Sequence, residues 1–270
     1  MGWDLRILAN EIVKYNNRMN TVPLKKFNSI EMDLFYSLCS QIKNKGSENI
    51  TLTFEQLKSL SHYKPTANSR FIEDLRKTNK KLMSLQFTFE DENLIEDFVL
   101  FTTFSINKNK EELTISVNKR FDFIFNQLTG SFTRFELEEL TSLESKYSKI
   151  MYRHLKQWRT KGRYKGKHGV MLIDEFKDLL NVPKSYQMAN IDKKVLDPIT
   201  KELSSIFKNL KIEKLKRGRG NKVIGFIITF QPESKNQQNK LSSELALTNT
   251  HDNTYDYEEI EKNIEKNMWK

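Results

Sequence analysis

The sequence predicts an α+β chain made of two tandem winged helix-turn-helix domains with basic β-hairpin wings, followed by a flexible acidic C-terminal tail. Three observations predict it. A degenerate repeat recurs at an offset of 116 to 121 residues, each copy closes in two alternating apolar runs around a polar turn, and the charge changes sign near residue 232. The 270 residues suit about two domains, with bounds expected at 8–130, 131–231 and 232–270.

The elements follow in order. Residues 34–46 align with 150–162, matching Tyr36 to Tyr152, Gln41 to Gln157 and Lys45-Gly46 to Lys161-Gly162. Both segments space apolar residues as a helix does and stop at Gly, as a C-cap would. A short strand and helix come next, pairing Leu52 with Met171, Phe54 with Ile173, Leu57 with Phe176 and Leu60 with Leu179. A third helix is expected at 67–85 and again at 190–207, with Leu75/Leu196, Leu82/Leu203 and Leu85/Ile206 in step. Pro198 requires this second copy to begin near Asp197 or to kink there. Period-two runs at 98–106 and 113–117 flank the turn 107–110, and runs at 210–215 and 223–230 flank the Gly-rich turn 216–222. Such pairs are hairpins.

Composition sets the class. Lys and Arg number 45 against 35 Asp and Glu, a formal net charge of +10. Eighteen Phe, nine Tyr and three Trp supply core material although only 37% of residues are apolar. A single cysteine excludes a disulfide framework or thiolate metal cluster, and Cys39 between Leu38 and Ile42 reads as a buried thiol. No apolar run has the length of a membrane span, and residues 1–15 lack a signal-peptide layout. A soluble protein of a reducing compartment, cytoplasmic and without membrane contact, is expected. The last 39 residues hold five Lys and eight acidic groups, net −3, which leaves +13 on residues 1–231. A basic body points to a polyanionic partner. The tail reads as a linker ending in Ile260, Ile264 and Met268 at helical spacing.

Four groups, rich in basic residues, are the candidate double-stranded-DNA contacts. Residues 145–173 hold nine basic side chains and no acidic one, including Lys146, Lys149, Arg153, Lys156, Arg159, Lys161, Arg163 and Lys165. The first four share one helical face, where like charges repel in the absence of an anion. The second group is the hairpin tip, Lys214, Lys216, Arg217, Arg219 and Lys222, with Gly218 and Gly220 permitting a close backbone approach. The third is the outward side of the 190–207 helix, Lys193, Lys194, Thr200, Lys201 and Ser204, whose residue types reach base edges in a major groove. The corresponding helix of the first copy offers Asn68, Ser69, Arg70, Lys77 and Lys81.

No catalytic constellation emerges. His62, His154, His168 and His251 form no His-x-His or His-Glu-x-x-His pair, and 162–167 has too short a spacing for a phosphate loop. Neither metal nor other cofactor is expected, and a non-catalytic DNA binder is. A nicking enzyme would need the missing histidine pair; a duplicated winged-helix transcription regulator remains the alternative.

The chain resembles the initiator replication (Rep) proteins of iteron-controlled, theta-replicating plasmids. The likeness rests on Ser145-Lys-Tyr-Ser-Lys-Ile-Met-Tyr-Arg-His-Leu-Lys-Gln-Trp158, residues 173–186, Val195-Leu-Asp-Pro-Ile-Thr-Lys-Glu-Leu203 and Arg217-Gly-Arg-Gly-Asn-Lys-Val-Ile-Gly-Phe226. Asn10-Glu-Ile-Val13 and Phe27-Asn-Ser-Ile30 also fit the family's opening. It spans roughly residues 8–231. The resemblance implies monomers that bind origin direct repeats, help to open nearby AT-rich DNA and recruit a host initiator and helicase. It also implies homodimers, joined through the first domain, that repress the protein's own promoter and so bear on copy number. The helix near 190–205 would be the main base reader, with the Lys146 to Lys156 helix beside it on phosphates.

Overall fold

A computed structural model describes residues 11–22, 24–42, 48–65, 67–90, 93, 95–125, 132–164 and 169–233. Lys165, Gly46, His168, His251 and the expected helical segment of the tail lie outside the described residues.

Two winged-helix units are present. In the first, helix α1 (Ser29–Ile42) leads to strand β2 (Ile50–Thr53), helix α2 (Phe54–Leu60) and helix α3 (Asn68–Met83). Strands β5 (Phe101–Asn107) and β6 (Glu112–Val117) form the wing, and β2 adds to it in the order β2-β6-β5. In the second, α6 (Lys146–Gln157) leads to β8 (Met171–Leu172), α7 (Ile173–Leu179), α8 (Met188–Ile191) and α9 (Asp197–Leu203). Strands β9 (Lys211–Arg217) and β10 (Lys222–Thr229) complete the same sheet, ordered β8-β10-β9. The duplication visible in the sequence is therefore a duplication of sheet order as well.

Local chemistry fixes these elements. Thr53 accepts from the Gln56 backbone while the Gln56 side chain accepts from the Thr53 backbone, a reciprocal cap that starts α2. Ser145 caps α6 by accepting from the Tyr147 and Ser148 backbones. The aligned residues of the repeat occupy matching core sites: Tyr36, Leu57, Leu75 and Leu82 are buried in one copy, as are Tyr152, Phe176, Leu196 and Leu203 in the other. Residues 158–162 turn the chain out of α6 and end at Gly162, where φ is +66°. A Cβ there would lie 2.7 Å from the Phe230 carbonyl and 2.9 Å from the Pro232 ring. Gly162→Ala is expected to cost about 2–3 kcal/mol, combining left-handed strain with that clash. A urea titration showing less than about 0.5 kcal/mol would contradict this account.

Two features were not anticipated. Strands β3 (Gln86–Glu90) and β4 (Ile95–Val99) form a separate hairpin ahead of the wing. Strand β1 (Ile12–Asn16) pairs antiparallel with β7 (Phe132–Glu136), which follows the short helix α4 (Asp122–Phe125) and precedes α5 (Leu137–Thr141) and α6. Since β1 precedes the first helix of its unit as β7 does in the second, equivalent strands meet across a local twofold. The core is continuous over this junction: Tyr15, Tyr36, Phe135 and Tyr152 pack ring against ring, and Tyr152 continues to Phe207 and Phe230.

Candidate nucleic-acid interface

The reading surface of the second unit is built on one interrupted helix. Helix α8, a π-helical turn at Asp192–Leu196 and α9 follow one another without a break. Pro198 sits in the first turn of α9. Its ring has no N–H to donate and crowds the carbonyl four residues back, and the wider π turn before it relieves that crowding. Val195, Ile199 and Leu203 face inward, so Lys193, Lys194, Thr200, Lys201 and Ser204 are left exposed. Each side chain can extend without desolvating a partner, except that the Ser204 hydroxyl donates to the Thr200 carbonyl at 2.5 Å. Lys194 sits 5.0 Å above the Tyr186 ring, which holds its charge on this side of the helix.

The wing is tied to that helix. Lys214 on β9 meets the Asp192 carboxylate at 2.6 and 2.7 Å, joining strand to π turn. Lys216, Arg217, Arg219 and Lys222 are exposed around the tip. Gly218 turns the chain at φ +81° with open space where a side chain would stand. The tip thus projects two guanidiniums beside the lysines of the reader helix, a shape suited to a phosphate backbone or groove edge.

In the first unit Ser69, Arg70 and Lys77 are exposed on α3, with Lys77 bonded to Glu73 one turn away at 2.7 Å. Asn68 and Lys81 do not belong to an open surface. Asn68 is engaged by Lys58 and Glu111, and Lys81 lies 2.5 Å from Glu31 while also donating to the Lys26 carbonyl. Both residues hold the unit together.

The largest correction concerns α6. Lys149, Arg153 and Lys156 were expected on a solvated face toward phosphates, yet they are only 1%, 2% and 7% exposed. Lys149 donates to Asp33 on α1 at 2.5 Å and to the Leu140 carbonyl at 2.8 Å. Arg153 donates to the Tyr36 hydroxyl and to the carbonyls of Met19 and Val22. Lys156 pairs with Glu139 at 2.8 Å and Glu233 at 3.4 Å, and Arg159 with Glu233 at 3.3 Å. Arg159 also lies 5.7 Å from the Phe132 ring. The anions that relieve the repulsion along this helix are therefore the protein's own. Lys146 is half-buried beside Tyr147, while Lys161 and Arg163 are exposed.

Burial moves the ionisation of this junction. It pushes the Asp33 carboxyl up to about 7, with Lys149 opposing the shift, and it lowers the Lys149 ammonium. Burial, with Arg153 adding to it, depresses His154 to about 3, and its Nε2 has no hydrogen-bond partner. Because the folded state then binds fewer protons than the unfolded one below pH 6.5, the stability tied to a neutral His154 falls as pH drops toward 3. His154→Gln is expected to reduce the loss of stability between pH 7 and 4 by about 3 kcal/mol. Urea titrations at both pH values, compared with the parent protein, check it; an unchanged difference would refute it.

Sequence reasoning missed Asp33, Tyr36, Glu139 and Glu233 as partners of the basic row. One signal for the first was available: Asp33 and Lys149 differ by the same 116 residues as Tyr36 and Tyr152. The carboxylates of Glu136, Glu138 and Glu139 line, with Lys201 and Glu202, an open cleft of about 490 Å³. Among the described residues no group of three or more His, Cys, Asp or Glu is placed to hold a metal ion, and no helix is long and apolar enough to cross a membrane.

Two family models match the chain in tandem. A family model described as "Initiator Replication protein, WH1" matches residues 12–156, and one described as "Initiator Rep protein, WH2" matches residues 172–230. A probable replication protein of Bifidobacterium longum (strain NCC 2705) is 38% identical over 230 residues, covering 84% of this chain and 75% of its own length. A replication initiation protein of Escherichia coli is 26% identical over 199 residues, covering 70% of this chain and 62% of its own. In fold, the chain is similar to the Pi initiator protein solved in complex with iteron DNA. The TM-score is 0.62 at 14% identity, over 83% of this chain and 99% of that one.

Proposed function

The chain belongs to the initiator replication (Rep) protein family, and from that premise we propose that it binds the direct repeats of a plasmid origin as a monomer. Bound there, it promotes opening of adjacent AT-rich DNA and recruits the host initiator and helicase. As a homodimer in equilibrium with the monomer it represses its own promoter, which ties its concentration to copy number. It works in the cytoplasm, without catalysis or cofactor. The first unit, residues 8–130, carries dimerisation and backbone contact, and the second, residues 131–231, with Glu233 held by Lys156 and Arg159, is the main reader.

One observation carries this reading: an exposed row of Lys193, Lys194, Thr200, Lys201 and Ser204 stands beside a wing whose tip carries Arg217 and Arg219. The helix supplies donors and acceptors for base edges and the wing supplies fixed charge for phosphates. Lys146, Lys161, Arg163, Lys216 and Lys222 extend the basic surface of the second unit, and Ser69 and Arg70 that of the first, while Lys214 and Lys77 are paired with Asp192 and Glu73. Lys149, Arg153, Lys156, Arg159, Asn68 and Lys81 are left out because their donors are already used.

Fluorescence anisotropy on a duplex carrying the direct repeats beside this gene, with a scrambled duplex as control and salt titrated, is the test. A preference of ~10³ or more, with a salt slope set by several phosphate contacts at ~0.9 each, is expected. Equal binding to both duplexes would reduce the protein to a general basic binder and overturn the proposal.

A further inference from the structure

Asp33 and Lys149 occupy equivalent positions of the two repeats, 116 residues apart, and they meet across the local twofold formed by β1 and β7. The Lys149 side chain is fully buried and that of Asp33 is 12% exposed. A buried ion pair is seldom more stable than an apolar pair of the same volume, because desolvation offsets the attraction. Stability alone therefore gives no reason for charges here. Geometry does. Pairing two copies of the first unit through this face would bury Asp33 against Asp33, and pairing two copies of the second would bury Lys149 against Lys149. Only one first unit against one second unit satisfies both charges. The directional contacts beside them, from Arg153 to the Tyr36 hydroxyl and to the Met19 and Val22 carbonyls, fix rotation as well as contact.

We propose that Asp33 and Lys149 are positioning residues that lock the two winged-helix units at one relative orientation, and that this lock sets the spacing of DNA sequence the protein accepts. The proposal rests on the DNA-reading function above, since both units must touch the same duplex. Apolar packing of Tyr15, Tyr36, Phe135 and Tyr152 holds the units together. That packing is non-directional and tolerates small rotations. The β1–β7 ladder ties the units along one edge, and the ion pair between α1 and α6 with its shared hydrogen bonds adds a second directional tie, so the distance from α3 to α9 follows from the two together.

The experiment has a DNA-free arm and a DNA arm. Spin labels on Ser69→Cys and Ser204→Cys, both exposed, report the distance between the two reader helices, while Cys39 is buried and stays unlabelled. The parent chain is expected to give one narrow distance peak. The apolar pair Asp33→Leu with Lys149→Met is expected to keep the chain folded but at least double the peak width. The exchanged pair Asp33→Lys with Lys149→Asp should restore the narrow peak, whereas either charge reversal alone should not. In the DNA arm, single base pairs are inserted at successive positions of the direct-repeat duplex. The parent chain should lose at least tenfold in affinity at some insertion, the apolar pair less than threefold there, and the exchanged pair should recover the tenfold loss. An unchanged peak width in the folded apolar pair would overturn the lock whatever the DNA result. A parent chain that binds repeat and scrambled duplex alike would instead overturn the DNA reading, and the distance peaks would still decide the lock.

Discussion

Replacing Thr200, Lys201 and Ser204 together with alanine is expected to lower the preference for the repeat duplex over a scrambled one by roughly 10²–10³-fold. The three side chains stand exposed on one side of α9, above the buried row of Val195, Ile199 and Leu203 that holds the helix on its unit. Each polar contact to a base edge discriminates by about 1–3 kcal/mol, and neighbouring contacts add only approximately. Binding to the scrambled duplex should fall far less, because only Lys201 contributes a charge. The fold should be unaffected: among the described residues the internal hydrogen bond removed is that from Ser204 to the Thr200 carbonyl. Matched anisotropy titrations at one salt concentration read the ratio directly. An equal loss on both duplexes would show that these residues touch phosphates and that the bases are read elsewhere.

The opposite pattern is expected at the wing. Arg217→Ala combined with Arg219→Ala should weaken binding to both duplexes by about the same factor, near tenfold or more, and make the salt slope shallower by about 1.8. Both guanidiniums extend from the exposed tip around Gly218. With two phosphate contacts removed, two fewer counterions are released on binding, which is the source of the change in slope. Stability should move by less than about 0.5 kcal/mol, as neither side chain touches the core. A loss confined to the repeat duplex, with the slope unchanged, would place the wing on bases and reverse the division of labour between helix and hairpin.

The two variants share a logic that the pairing of Lys214 with Asp192 makes concrete. That contact ties the β9 strand to the π turn, so the charged tip and the reading helix advance on a duplex as one body. Because Pro198 forces the π turn, and the π turn places Asp192 under Lys214, the orientation of the wing begins with a single residue that cannot donate a backbone hydrogen bond.

The sequence alone determined the two winged-helix units, since periodicity reports on local geometry. Apolar spacing of three and four marked α1, α3 and α6, alternation marked β5, β6, β9 and β10, and the offset between Leu57 and Phe176 or Leu82 and Leu203 revealed the duplication. The wing tip and the outward side of α9 were legible for the same reason: a hairpin turn, or a polar helix side opposite an apolar stripe, is exposed by its own geometry. The row Lys149, Arg153 and Lys156 was not. Helical spacing places these residues on one side of α6 but cannot show what that side meets, and the answer came from Asp33, Tyr36, Glu139 and Glu233, up to 117 positions away. Asn68 and Lys81 were misread likewise, because Glu111 and Glu31 reach them only after the first unit has closed. Tertiary structure alone decided which cations remain available to an outside anion, because a charge is free or spent according to the partners that folding brings within about 3 Å of it.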